Sequence, residues 1–273
     1  MPRFSIFIIV FCASAFSCGH SSMVFDGSAD VPSLTANASP ALFDWRKARE
    51  DAAGGTDATE DPLPDTNIAP SVTFAESDPE NPLDAFIQEF VLFAPGPGSR
   101  FGQDSMNTWL LGPPFGGGLY VQSADVVSLG NGGEIILSFP RFFPINGDGP
   151  DFIIFENAFT PRGSATLFME PGIVGVSQDG IDFVDFPCSL SAPYTGCAGT
   201  HAVLANPDYN TINPRDPDTA GGDAYDLQTL GLNYIKYIRI RDSNLKLAGE
   251  AATSTGQAGF DLDAIAIVHG AKP

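Results

Sequence analysis

From about residue 70 onward the chain sets short apolar runs between clusters of Gly, Pro, Asn and Asp. That punctuation belongs to strands and turns, and it predicts an all-β domain of sandwich or barrel type. The clearest strands are Glu134 to Phe139, Phe152 to Phe155, Ile173 to Ser177, Tyr234 to Arg241 and Ala264 to Val268. Their connections are long and lack a sustained 3.6-residue apolar period, so little helix is expected. Leu83 to Phe93 and Asp226 to Leu232 are the candidates for short helical pieces. Asp179-Gly180, set between a strand and the returning Phe183, is the turn chemistry of a hairpin.

The opening residues follow another pattern. Arg3 precedes the apolar stretch Phe4 to Phe16, the form of an export signal and too short for a membrane-spanning helix. Two processing routes are open. Ala13-Ser14-Ala15 fits ordinary signal cleavage, whereas Ala15-Phe16-Ser17-Cys18 resembles a bacterial lipobox with Cys18 as the lipidated residue. The second route is adopted, because Cys18 leads into Gly19 and a long polar stretch suited to a tether. The expected organisation is a signal over 1–17, a flexible acidic tether over 18–69 and one β domain over 70–273.

Charge and cysteine content narrow the function classes. Lys plus Arg number 13 against 33 Asp plus Glu, for a net charge of −20 that repels a phosphate backbone and argues against a nucleic-acid partner. No Lys or Arg occurs from Glu50 to Ser99, where eleven acidic residues read as a solvated, self-repelling run. Of the four cysteines, Cys12 leaves with the signal and Cys18 takes lipid, so Cys188 and Cys197 remain to pair in an oxidising compartment. The expected location is the cell envelope or cell surface, at the outer membrane where there is one, with membrane contact through the lipid anchor alone.

Several segments carry a resemblance. Val174 to Phe183, Tyr237-Ile-Arg-Ile-Arg-Asp242 and Gly259 to Val268 resemble the second half of galactose-binding-like jelly rolls of the discoidin and carbohydrate-binding-module type. Gly96 to Gln103, Leu111-Gly-Pro-Pro114, Asp125 to Gly133, Gly149 to Asn157 and Ala220 to Leu227 look like a group of uncharacterised bacterial cell-surface lipoproteins, over roughly residues 70 to 270. The first resemblance implies a jelly-roll β-sandwich and a binding or adhesion role, which is analogy at the level of fold. It also implies a structural Ca²⁺ held by an acidic residue of the final strand, Asp261 or Asp263.

Carboxylates are the abundant reactive groups. Asn146, Asp148 and Asp151 precede a strand, Glu156 and Asn157 end it, and Asp261 and Asp263 stand at i and i+2 on one face of the last strand. Hard oxygen donors grouped this way suit Ca²⁺, giving Asp148, Asp151, Glu156, Asp261 and Asp263 as metal candidates. The competing reading is that these side chains cap turns. Asp223 and Asp226, in the acidic loop Asp216 to Asp226, are candidates for contacts to sugar hydroxyls, with turn chemistry again the alternative. Phe101, Trp109, Phe115 and Tyr120 lie in a Pro- and Gly-rich region, and Trp109 and Tyr120 are the best candidates for stacking on a ligand.

Nucleophile-elbow, zincin, P-loop and dinucleotide motifs are absent from the sequence. His201 and His269 are the only imidazoles of the domain, and each reads as a surface or hydrogen-bonding residue ahead of a catalytic one. The expected function is a surface binding module for an extracellular glycan or surface protein, with Ca²⁺ shaping the site. An envelope structural protein is the alternative, followed by a carboxylate-based hydrolase.

Overall fold

The computed structural model describes residues 72–245 and 259–273. The expected signal (1–17), the tether (18–69) and lipidation at Cys18 lie outside the described residues.

Eleven strands are present among the described residues: β1 (Glu89–Ala94), β2 (Val127–Ser128), β3 (Glu134–Ser138), β4 (Phe143–Pro144), β5 (Phe152–Glu156), β6 (Gly172–Ser177), β7 (Val184–Asp185), β8 (Asp223–Tyr225), β9 (Tyr237–Asp242), β10 (Asp261–Ile267) and β11 (Gly270–Ala271). They form a five-stranded sheet in the order β1-β3-β9-β6-β7, a four-stranded sheet in the order β2-β10-β5-β8, and the pair β11-β4. Every pairing is antiparallel.

Strand alternation explains why the two larger sheets close on one another. In β9 the isoleucines Ile238 and Ile240 are buried while Arg239 and Arg241 keep partial exposure. Ile135 and Leu137 of β3 and Val174 and Val176 of β6 join those isoleucines from the five-stranded sheet. Phe152 and Ile154 of β5, Tyr225 of β8, and Leu262, Ile265 and Ile267 of β10 meet them from the other, giving one β-sandwich core. On the opposite face of the four-stranded sheet Ile153, Phe155, Ala264 and Ala266 pack beneath Phe86, Val203, Ala205 and Ala220. β5 is thus buried on both faces, which is why it reads as an unbroken apolar run.

Two local expectations change. Leu83 to Phe93 is not one helical piece: a 3-10 turn spans Pro82–Ala85, Phe86 makes a single bridge to Ala266, and the residues from Glu89 on belong to β1. Pro82 breaks the preceding chain and the Asn81 side chain caps the turn, but Phe90 and Phe93 pack against the core as strand residues. The Asp179-Gly180 hairpin does join paired strands, β6 and β7, through a longer connection than two residues. The Asp179 carboxylate accepts the N–H groups of Ile181 and Asp182 and holds that connection folded.

Candidate functional site

A cleft of about 640 Å³ opens at the β8 edge of the four-stranded sheet. The loop from Pro193 to Cys197 forms one wall, Leu204 a second, and Pro217 to Gly222 a third; Thr200, His201 and Asp223 lie among these walls. The first wall is fixed twice. Cys188 and Cys197 are disulfide-bonded with their Cα atoms 4.6 Å apart, and the Tyr225 hydroxyl donates to the Gly196 carbonyl at 3.3 Å. Tyr225 is anchored in turn by stacking on Phe152, with ring centroids 5.3 Å apart.

The third wall needs glycine. Gly221 and Gly222 have φ of +74° and +72°, a region that β-carbons disfavour. A Cβ at Gly222 would stand 2.6 Å from the Phe155 ring and 2.7 Å from the Ile154 carbonyl. The pair therefore lets the loop lie flat on β5 and deliver Asp223 opposite Ile154.

Asp223 organises the floor of the cleft. Its Oδ2 accepts the Thr200 N–H at 2.9 Å, and its Oδ1 accepts the Thr200 hydroxyl at 2.5 Å and His201 Nδ1–H at 2.7 Å. The Asp223 side chain is 8% exposed and that of His201 is 72% exposed. A buried carboxylate thus orients an imidazole whose Nε2 is left for the cleft. The hydrogen bond to Asp223 raises the His201 pKa above its ordinary value, against a smaller effect of burial. His201 Nε2 is a donor when the ring is charged and an acceptor when it is neutral.

The other predicted residues lie elsewhere. Asp226 caps the 3-10 turn Leu227–Leu230 by accepting the Gln228 N–H at 2.8 Å. Trp109 stacks on Phe101 with centroids 5.7 Å apart. Phe115 donates its N–H to Asp263 and accepts the Ser123 hydroxyl at its carbonyl. Tyr120 is 69% exposed between Leu119 and Val121, at 53% and 62%, in a loop whose Gly118 donates to the carbonyl of Val203. A smaller recess of about 230 Å³, walled by Pro113, Pro114, Pro207 and Pro214, has no titratable side chain in its lining.

The five metal candidates do not converge. Asp151 and Asp148 precede β5, whereas Glu156 closes it, and five strand residues cover about 16 Å. Asp151 accepts the N–H groups of Gly147 at 2.7 Å and Leu227 at 2.8 Å, and burial raises its pKa to about 6. Asp148 is exposed, and its carbonyl accepts from His269. In β10 the register slips between Leu262, opposite Glu156, and Ala264, opposite Phe155, leaving Asp263 as a bulge residue. Asp261 meets the side chains of Ser128 and Asn157, and burial raises its pKa with help from the Asp242 charge. Asp263 is fully buried, accepts the Phe115 N–H at 3.1 Å through Oδ1 and leaves Oδ2 without a partner. Burial above all lifts its pKa to about 8. Among the described residues no three acid, imidazole or thiol side chains are gathered around one point as in a preformed metal centre.

Sequence reasoning named Asp223 and read His201 as a surface or hydrogen-bonding residue, but it missed Thr200 and the pairing of both with Asp223, because that pairing spans 22 and 23 residues and no local motif records it. The adjacent Gly221-Gly222 was the available signal for a backbone forced close to another element. Glu170, buried beside Glu156, was also missed. Comparison with protein-family models, with curated proteins and with solved structures found no match.

Proposed function

We propose that the chain is an exported, lipid-anchored cell-surface binding module of galactose-binding-like jelly-roll type, and that the cleft at Asp223 receives a hydroxyl-rich extracellular ligand, a glycan. The observation that carries this reading is the buried Asp223 carboxylate orienting the exposed His201 in an open cleft. Ligand sites of this kind set a few convergent polar groups on a rigid scaffold. Thr195, Thr200, His201 and Asp218 supply donors and acceptors to the cleft lining, and the disulfide and the Tyr225 stack stiffen the wall behind them. Sandwiched sheets of five and four strands are in keeping with the jelly-roll resemblance.

The test is a glycan array probed with the full chain and with Asp223→Ala. Retention of a defined glycan class by the wild type and its loss in the variant supports the reading; no bound class, or equal binding by both, removes it. For the anchor, Cys18→Ala is expected to abolish partitioning into the detergent phase.

A second reading has its own observation. Leu119, Tyr120 and Val121 form an exposed apolar tip, the feature that a docking or assembly protein needs. It predicts that Tyr120→Ser, and not Asp223→Ala, disrupts surface association.

A further inference from the structure

Half of the large apolar side chains left exposed among the described residues stand on two segments. Leu111, Leu119, Tyr120 and Val121 lie between Trp109 and Gln122, and Tyr209 lies between Ala202 and Pro214. Hydrogen bonds make these segments one surface. Gly116 donates its N–H to the Ala205 carbonyl at 3.2 Å and Gly118 to the Val203 carbonyl at 3.0 Å, while the Asn206 amide donates to the Gly116 carbonyl at 2.9 Å. Single exposed apolar residues are ordinary, but a group of them on one fixed patch marks an interaction site.

The patch holds both a projection and a recess. Leu119, Tyr120 and Val121 are held outward by the backbone: Thr160 donates to the Leu119 carbonyl at 2.7 Å, and a Cβ at Gly117 would stand 2.0 Å from the Val121 carbonyl oxygen. The recess between Pro113, Pro114, Pro207 and Pro214 measures about 230 Å³, more than the roughly 150 Å³ that admits a benzene ring. Its amides are already spent. Asn206 Oδ1 accepts the Asp208 N–H, and Asn210 donates to the Leu204 carbonyl and accepts the Ile212 N–H. With four prolines and Ile212 in its walls, the recess suits an aromatic or aliphatic side chain better than a sugar.

Charge points to the occupant. Two copies at −20 repel one another over most of their surface. From Trp109 to Gln122 there is no charged residue, and from Ala202 to Pro214 the single one is Asp208, exposed at the rim beside Pro207. The tip has a matching cation in the exposed Arg162, two residues beyond the Thr160 that bonds to Leu119. Among the described residues neither Arg162 nor Asp208 has an ion-pair partner within its own chain.

We propose that the patch is a self-association surface, in which Tyr120 of one copy enters the proline recess of a second and Arg162 of the first faces Asp208 of the second. Tip and recess hang from the same hydrogen-bonded pair of segments, so one two-fold axis fills both recesses and the assembly closes as a dimer. The surface takes the tip of the assembly reading as one half and does not depend on the Asp223 cleft.

The experiment is sedimentation velocity of the full chain over a concentration series, with all variants carrying the same N-terminal residues so that differences report on the patch alone. A reversible dimer is expected for the wild type. Tyr120→Ser empties the recess and Thr211→Arg, at an exposed lining position, blocks it; each is expected to raise the dimer Kd at least about tenfold. Arg162→Asp and Asp208→Arg are each expected to weaken the dimer, and their combination to restore it, which a merely structural role would not produce. A wild type that stays monomeric throughout the series would overturn the proposal, and loss of surface association by Tyr120→Ser in that case would assign the patch to a different protein. A dimer undiminished in both Tyr120→Ser and Thr211→Arg would overturn it as well.

Discussion

His201 Nδ1 lies 2.7 Å from Asp223 Oδ1, joining an exposed imidazole to a buried carboxylate. Because the largest influence on His201 is this hydrogen bond and the opposing one is burial, removing the carboxylate reverses the balance. In Asp223→Asn the His201 pKa is expected to fall below 6.5, the ordinary value that it exceeds in the wild type. Imidazole NMR titration of the two proteins measures the difference; an unchanged midpoint would show that the pair does not form in solution.

Asp263 gives the protein a stability profile that falls with rising pH. Its folded-state pKa of about 8 stands above the usual 3.8, so the folded protein binds this proton more tightly than the unfolded chain does. That contribution is fully present below about pH 4 and is lost as pH rises toward 8. Glu156, Asp151, His201 and His269, all shifted upward, act in the same direction. Asp263→Asn keeps an oxygen for the Phe115 N–H and removes the charge. In EDTA it is expected to be more stable than the wild type at pH 8 by at least about 1 kcal/mol, and equal to it near pH 4. Urea melts at the two values decide; a wild type whose stability rises across this window contradicts the assignment.

The Cys188–Cys197 bridge closes a short loop at a sequence separation of 9. The chain-entropy relation gives about 2.5–3 kcal/mol for such a closure. Cys188→Ser with Cys197→Ser is expected to lower unfolding stability by about that amount and to weaken ligand retention in the cleft, since the bridge holds the wall that carries Gly196 and Thr195. Chemical denaturation and array binding of the double variant check both parts.

The strands with strong apolar character were legible in the chain. Glu134 to Phe139 and Phe152 to Phe155 agree with β3 and β5 to within a residue at their ends, because burial on one or both faces leaves a clear imprint on residue order. Tyr234 to Arg241 began too early: Tyr234 bridges to Ile145 before the ladder of β9 starts. β2, β4, β7, β8 and β11 span only two or three residues each and depend on tertiary pairing, so nothing local announces them. The candidate site was legible only in its Asp223 half. Aspartates in Gly- and Pro-rich loops cap turns, as Asp226 and Asp179 do, or support distant elements, as Asp151 does by accepting from Leu227. Residue type and spacing do not separate those roles. The bulge at Asp263 is likewise invisible in a pattern that counts positions by twos.

The most direct measurement of the proposed function is isothermal titration of the full chain with the oligosaccharide best retained on the array, comparing wild type, Asp223→Ala and Asp148→Asn. Leaving the Thr200 and His201 donors without their carboxylate is expected to weaken binding by about 1–3 kcal/mol, roughly fivefold to 150-fold. The exposed Asp148 is expected to contribute nothing. Saturable binding by the wild type and by Asp148→Asn, with that loss in Asp223→Ala, is the predicted result; absence of binding to any oligosaccharide, or equal affinity in all three proteins, would contradict a ligand site at the Asp223 cleft.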